Sequence, residues 1–352
     1  MKIIYFGAYD PQYSRNRVLI RGLKDNGVEV VECSDRSRSI LKYLRLVFKY
    51  FRLKKDFDLM VVGFPGQEVM FLAKILTRKP IVFDAFTSHY GGHVLDRGTS
   101  SPKSLSAFYY KFLDRYSCLL ADMVLLDTNA HINFFVETFG LPVGKFKRVF
   151  VGSDSSVFYP RPDPLNEKVV VHFHGNYIPL QGVRYIIEAA KILENESIHF
   201  NLIGRGQTYD KDIDLAKKIG VKNITFIDRV GYSELADFMT QSDICLGVFG
   251  EKIKTGLVIP NKIFEALAMS KPIVTARTEA IQELLKDEEN VILCQKGDPK
   301  DLANKIRELA NSRDLRFKIG SNGGDLFSRA LKEKIIAGDL INCIYERGLL
   351  SK

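Results

Sequence analysis

Residues 259–276 read IPNKIFEALAMSKPIVTA. Asn261 stands where a side chain can cap a helix that carries Lys262, Phe264 and Glu265. Lys262 and Glu265 are three apart, so they share one face near the helix N-terminus. A carboxylate there can accept two hydrogen bonds from a ribose diol, while the lysine and the free amides of the first turn can meet a phosphate. By itself the same spacing is more often a surface ion pair. The helix runs directly into PIVTA, a continuous apolar run of the kind that forms a buried parallel strand.

The same alternation extends in both directions. KIIYF (2–6) ends at Gly7, and VEVVE follows as a second strand. LMVVG (59–63), PIVFD (80–84) and MVLLD (123–127) each end in Gly or Asp. Helical patterns lie between them at 15–26, 40–54, 67–77, 104–121 and 130–139. FYPRPDPLNE (158–167) holds three prolines and is read as an interdomain linker. Beyond it, strands are predicted at 169–174, 199–204, 223–228, 243–249, 272–276 and 290–294. Helices are predicted at 182–195, 209–219, 233–241, 261–269, 279–286 and 299–312. Alternation on both sides of a linker predicts two doubly wound α/β domains, with ligands at the carboxyl ends of the strands and in a cleft between the domains.

Composition agrees with this reading. The chain has 352 residues, 46% hydrophobic and 26% charged, which excludes a disordered, collagen-like or disulfide-scaffold protein. Its five widely spaced cysteines include no CxxC pair and fit buried thiols in a reducing compartment. MKIIYFGAYD is not the start of a signal peptide, and no run reaches the length of a spanning helix. The expected location is cytoplasmic, with the chain soluble or peripheral on the inner face of the cell membrane. Residues 1–150 hold 23 Lys/Arg against 14 Asp/Glu, whereas 151–352 hold 28 of each. The whole net charge of +9 therefore lies in the first half and points to an anionic partner there.

Several loops carry candidate chemistry. HGNYIPLQGV (174–183) and NLIGRGQ (201–207) are strand-to-helix turns, with Gly175, Gly182, Gly204 and Gly206 allowing close approach of an anion and Arg205 able to pair with it. Position 209 is Tyr, so no dinucleotide fingerprint is completed. PIVFDAFTSHYGGHVLDRG (80–98) leaves a strand at Asp84, a candidate for touching a reacting group at the strand's carboxyl end; a carboxylate capping the next loop is the equal alternative. His89 and His93 are four apart, but Gly91 and Gly92 argue against a helical metal pair. His172 and His174 share a strand face without an evident third ligand, and DKDID (210–214) lies in a helical pattern, so no metal is expected. ILKYLRLVFKYFRLKK (40–55) holds six basic and four aromatic residues, with an apolar stripe at 41, 44, 47, 48 and 51. That suits either an interfacial helix on anionic lipid or a core-facing helix with a solvated basic side. No nucleic-acid motif accompanies the charge.

These segments together resemble the GT-B glycosyltransferases of family four (group one). The likeness runs over HGNYIPLQGV, LIGRGQ, DICLGVF, PNKIFEALAMSKPIVTA and GDPKDLANKIREL in the second half, and over Gly7 and DTNAHINFFVETFG before a VGSD turn in the first. The resemblance implies two Rossmann-like parallel-sheet domains facing a central cleft: an acceptor-side domain at 1–157 and a donor-binding domain at 168–331, with a helix at 332–352 crossing back to the first. It implies that Glu265 holds the donor ribose and that amides around Gly7 face donor or acceptor. Asp84 and His89 fall in the segment where acceptor-side residues lie, and both are candidate catalytic residues. Two features depart from the family pattern. Asn176 and Gln181 stand where an Arg and a Lys meet the donor diphosphate, and Leu257 stands where a first glutamate precedes Glu265. Arg205, Lys252, Lys254 and Lys262 are candidates to restore the charge.

The expected activity is retaining, metal-independent transfer of a sugar from an activated, nucleotide-sugar donor to a glycan or lipid-linked acceptor in cell-surface polysaccharide or glycoconjugate synthesis. The nucleotide sugar is a substrate, and no cofactor is expected. The expected donor site comprises Gly7, Asn176, Gln181, Gly204, Arg205, Asn261, Lys262 and Glu265. The alternatives are a sugar-nucleotide epimerase and a catalytically silent binding subunit.

Overall fold

The continuous apolar runs fold as strands because both of their faces are covered. The computed structural model describes residues 1–53, 56–162 and 166–351. Lys54 and Lys55 of the predicted 40–55 helix, residues 163–165 of the predicted linker and Lys352 lie outside the described residues. The chain divides into two units, Met1–Asp154 with Ala330–Lys352, and Ser155–Arg329.

The first unit holds β1 (Lys2–Gly7), β2 (Glu29–Ser34), β3 (Leu59–Val62), β4 (Ile81–Asp84), β5 (Met123–Leu126) and β6 (Phe146–Arg148). They form one parallel sheet in the order β2-β1-β3-β4-β5-β6. Every residue of β3, β4 and β5 is buried. Successive right-handed crossovers put the helices Lys42–Leu53, Met70–Leu76, Leu105–Leu120 and Asn129–Phe139 on one face. There Leu46, Met70, Cys118 and Phe135 pack on Phe6, Val62 and Phe83. Helix Ser14–Asp25 connects β1 back to β2 and so lies on the other face. Val18 and Leu19 meet Leu340 and Ile344 of the C-terminal helix Glu333–Glu346 there.

The second unit holds β7 (Val169–His174), β8 (Ile198–Ile203), β9 (Ile224–Ile227), β10 (Ile244–Leu246), β11 (Ile273–Ala276) and β12 (Ile292–Cys294). Its parallel sheet runs β12-β11-β10-β7-β8-β9. The direction of winding reverses between β7 and β10, which opens a crevice at their carboxyl ends.

The proline-rich stretch 158–167 differs from the expected linker, because its described residues are fastened to the second unit. Phe158 is fully buried with its ring 5.0 Å from that of Tyr232. Arg161 pairs with Asp237 at 2.6 Å, and Asn166 donates to Asp243 at 2.9 Å. The prolines prevent a helix or strand but leave side chains free to pack. Helix Arg313–Ala330 and the short β6 were not anticipated, and the 279–286 helix shrinks to Glu279–Gln282. Cys33, Cys118, Cys245 and Cys294 are buried free thiols. Among the described residues, no helix is long and apolar enough to cross a membrane.

Candidate functional site

The carboxyl end of β7 gathers the polar groups of the second unit. Along this strand Val171 and Phe173 enter the core, while His172 and His174 point to the other side and meet, His172 Nε2 lying 2.9 Å from His174 Nδ1. His174 Nε2 in turn lies 2.8 Å from Glu265 Oε2. His174 Nε2–H donates to the Glu265 carboxylate, and of the two facing nitrogens of the His172–His174 contact one donates and the other accepts. His172 Nδ1 is buried and has no hydrogen-bond partner among the described residues. Burial, reinforced by the neighbouring His174 and Lys262, pushes the His172 pKa well below the usual imidazole value, which keeps that ring neutral.

Helix Asn261–Ala268 supplies the other side of the site. Lys262 and Glu265 are both buried, so they are not the surface ion pair that their spacing alone allows. Lys262 Nζ lies 3.7 Å above the Phe173 ring and donates to Gln181 Oε1 at 2.5 Å. Burial pushes this lysine well below its usual pKa, and Glu265 opposes the shift. Asn261 is not the cap: Pro260 occupies that position with extended backbone, and no side chain caps the helix. Asn261 is the first helical residue, because proline's fixed φ suits the turn into the helix and its carbonyl accepts from Ile263 N–H at 3.0 Å.

The turn after β8 packs against the turn after β7. Gly204 has φ +130, and a Cβ there would lie 2.0 Å from the Gly175 carbonyl oxygen, so only glycine fits. Beside these two glycines a pocket of about 280 Å³ is lined by His174, Asn176, Ile203 and Arg229. Arg229 Nη2 donates to Asn176 Oδ1 at 3.4 Å. The two amides standing at the family's cationic positions are thus each met by a basic side chain from another element, Arg229 for Asn176 and Lys262 for Gln181. Arg205 turns elsewhere, pairing with Asp228 at 3.1 Å and lying 4.1 Å over the Tyr209 ring. Lys252 lines a separate pocket of about 210 Å³ with Gly182 and Gly250. Glu251 takes the Tyr185 hydroxyl. A larger pocket of about 780 Å³ is lined by Asp243, Lys271, Pro272 and Arg316, at the amino ends of β10 and β11. Ligands of doubly wound sheets bind at the opposite, carboxyl ends, which favours the His174–Arg229 pocket.

In the first unit Asp84 has a buried partner. Arg15 and Asp84 are fully buried together. Arg15 Nε lies 3.1 and 3.0 Å from the two Asp84 oxygens, and Nη2 lies 2.9 Å from Oδ1. Arg15 Nη1 also donates to the carbonyls of Val149 and Phe150. This buried carboxylate is engaged by Arg15 and joins β4 to helix Ser14–Asp25. His89 is half-buried, and its backbone N–H donates to Asp114 at 3.1 Å. Gly91–Asp96 forms a π-helical turn despite its glycines, and the rings of His89 and His93 stack at 6.1 Å. Among the described residues, no group of three His, Cys, Asp or Glu side chains could hold a metal ion. Gly7 ends β1 with φ +140.

His174 and Arg229 are the site residues that sequence reasoning missed. The His172/His174 spacing was visible, but the partner of His174 lies 91 residues along the chain.

Two parallel six-stranded sheets of this order define a GT-B glycosyltransferase fold. Anabaena HepE, solved with UDP and glucose, has this fold with a TM-score of 0.74, 17% sequence identity, and coverage of 98% of this chain and 100% of its own. The model of the Glycosyl transferases group 1 family matches residues 168–312, which lie within the second unit. An uncharacterized glycosyltransferase of Methanocaldococcus jannaschii is 30% identical over 181 residues, covering 49% of this chain and 47% of the relative. The capsular polysaccharide biosynthesis glycosyltransferase CapM of Staphylococcus aureus is 26% identical over 181 residues, covering 50% of this chain and 46% of the relative. These matches span less than half the length of either relative.

Proposed function

We propose that the chain transfers a sugar from a nucleotide-sugar donor to a glycan or lipid-linked acceptor in polysaccharide or glycoconjugate synthesis, retaining the anomeric configuration and using no metal. The observation that carries this reading is the buried Glu265 carboxylate, oriented by His174 beside Lys262 and the Gly175–Gly204 turns. Glu265 accepts the ribose hydroxyls of the donor. Lys262, Arg229 and the free amides of the helix starts take the negative charge of the diphosphate, which grows as the sugar–phosphate bond breaks. Catalysis is then mainly positioning and charge stabilisation. The solution of HepE with UDP and glucose and the role of CapM in capsular polysaccharide synthesis support the choice of donor and pathway class.

Thermal unfolding of the full chain against a panel of nucleoside diphosphates and nucleotide sugars tests the donor. A ligand at 100 times its Kd adds about 2.7 kcal/mol, a shift of several degrees. A base-selective shift supports the reading, and no shift with any nucleotide removes it. Incubating the shifting nucleotide sugar without acceptor separates a transferase from an epimerase, which converts its donor alone.

A further inference from the structure

Helices Lys42–Leu53, Met70–Leu76 and Leu105–Leu120 lie in one layer on the first sheet. The second packs against the third, and Lys42 and Tyr43 of the first reach Glu68 in the turn before the second. Each helix turns apolar residues inward, among them Leu46, Met70 and Cys118. Each also carries an outward apolar row. Leu44 is 58% and Phe48 67% exposed on the first helix, Ile75 82% on the second, and Leu105 89% and Phe108 72% on the third. Apolar rows on three neighbouring helices are more than the scattered exposure normal for a soluble surface.

The exposed charges carried by these three helices and their flanks are mainly basic, with Glu68 the acid that meets Lys42. Lys49, Arg52, Lys74, Arg78, Lys103 and Lys111 are exposed. The three helices contain a single carboxylate, Asp114, and it is buried beneath the 88–90 turn. A protein partner or a second copy would cover the apolar rows without requiring three helices free of exposed acid. A phosphate-bearing lipid surface requires both.

We propose that this face of the first unit docks on an anionic bilayer. Leu44, Phe48, Ile75 and Phe108 enter the interface, and the surrounding lysines and arginines meet lipid phosphates. This proposal is independent of the nucleotide site, so either can fail alone.

The test is flotation of the full chain with phosphatidylcholine vesicles and with vesicles containing one quarter phosphatidylglycerol. The expected result is binding at least about tenfold tighter to the anionic vesicles, weakened by high salt. Leu44→Glu/Phe48→Glu and, separately, Ile75→Glu/Phe108→Glu should each lower that binding about tenfold while the nucleotide-induced thermal shift is retained. Lys49→Glu/Arg52→Glu leaves all three apolar rows intact and should do the same. Equal binding to the two vesicle types, unchanged binding in the charge-reversed variant, or a lipid-free dimer abolished by Phe48→Glu would each overturn the proposal.

Discussion

His174 holds Glu265 from another element: its Nε2 lies 2.8 Å from the Glu265 carboxylate, and its Nδ1 lies 2.9 Å from His172. The carboxylate therefore has one orientation before any ligand arrives. His174→Leu should weaken binding of a ribonucleoside diphosphate about tenfold, as expected for one hydrogen bond to a charged group. It should leave the 2′-deoxy analogue nearly unaffected, and His174→Gln, which retains a donor, should recover part of the loss. Equal weakening of both nucleotides would mean that His174 only supports the fold.

Glu265→Gln keeps the shape and removes the charge. Nucleotide affinity should fall about 10- to 100-fold, matching about 1.5–3 kcal/mol for a charge-assisted hydrogen bond. Calorimetric titration measures it, and unchanged affinity would remove Glu265 from the site.

Lys262 is buried, and burial holds its pKa well below the usual lysine value. A bound diphosphate favours the ammonium, so binding should take up a proton, increasingly as pH rises. The binding enthalpy should then vary with buffer ionisation enthalpy in the natural protein and not in Lys262→Met. The unfolded lysine binds a proton that the folded one resists, so stability relative to Lys262→Met should rise with pH between the depressed value and 10.5.

Asp114 predicts the opposite slope. Burial pushes its pKa up to about 6, against hydrogen bonds from the Ser88 hydroxyl and the backbone of Tyr90 and His89. Its folded pKa is raised, so its contribution is present below about pH 4 and lost as pH rises through about 6. Between those limits the natural protein should lose about 2–3 kcal/mol relative to Asp114→Asn. Paired chemical denaturation curves across this range measure the difference, and parallel pH profiles would contradict it.

Asp84→Ala strands the Arg15 guanidinium in a dry core, where breaking a buried pair costs about 3–5 kcal/mol. The melting temperature should fall steeply, and Arg15→Met/Asp84→Leu should recover much of it. A variant with native stability and no activity would instead restore Asp84 as a catalytic candidate.

The strands of both sheets were legible because burial on two faces leaves continuous runs such as LMVV and IVTA. β6 is three residues, Phe146–Arg148, and two of them are basic, so it carries no such run. Helix Arg313–Ala330 was hidden by Gly320, Gly323 and Gly324. Gly320 and Gly324 let it approach Ser270, where a Cβ would lie 2.2 and 2.1 Å from that residue's atoms. Glu265 and Lys262 were readable from one helix turn. Their partners were not, because His174 and Gln181 come from a distant strand and loop. The partner of Asp84 was hidden for the same reason: nothing near it in sequence reveals Arg15, which is 69 residues away.

The first unit is assembled from two stretches of chain, and residues 155–329 lie between them. Its second core includes Leu340 and Ile344, so that core cannot be completed on the ribosome until the last helix has emerged. The second unit is continuous and finishes earlier, although its synthesis begins later. A chain truncated after residue 329 and released should therefore present a protease-resistant second unit beside a first unit still open along helix Ser14–Asp25.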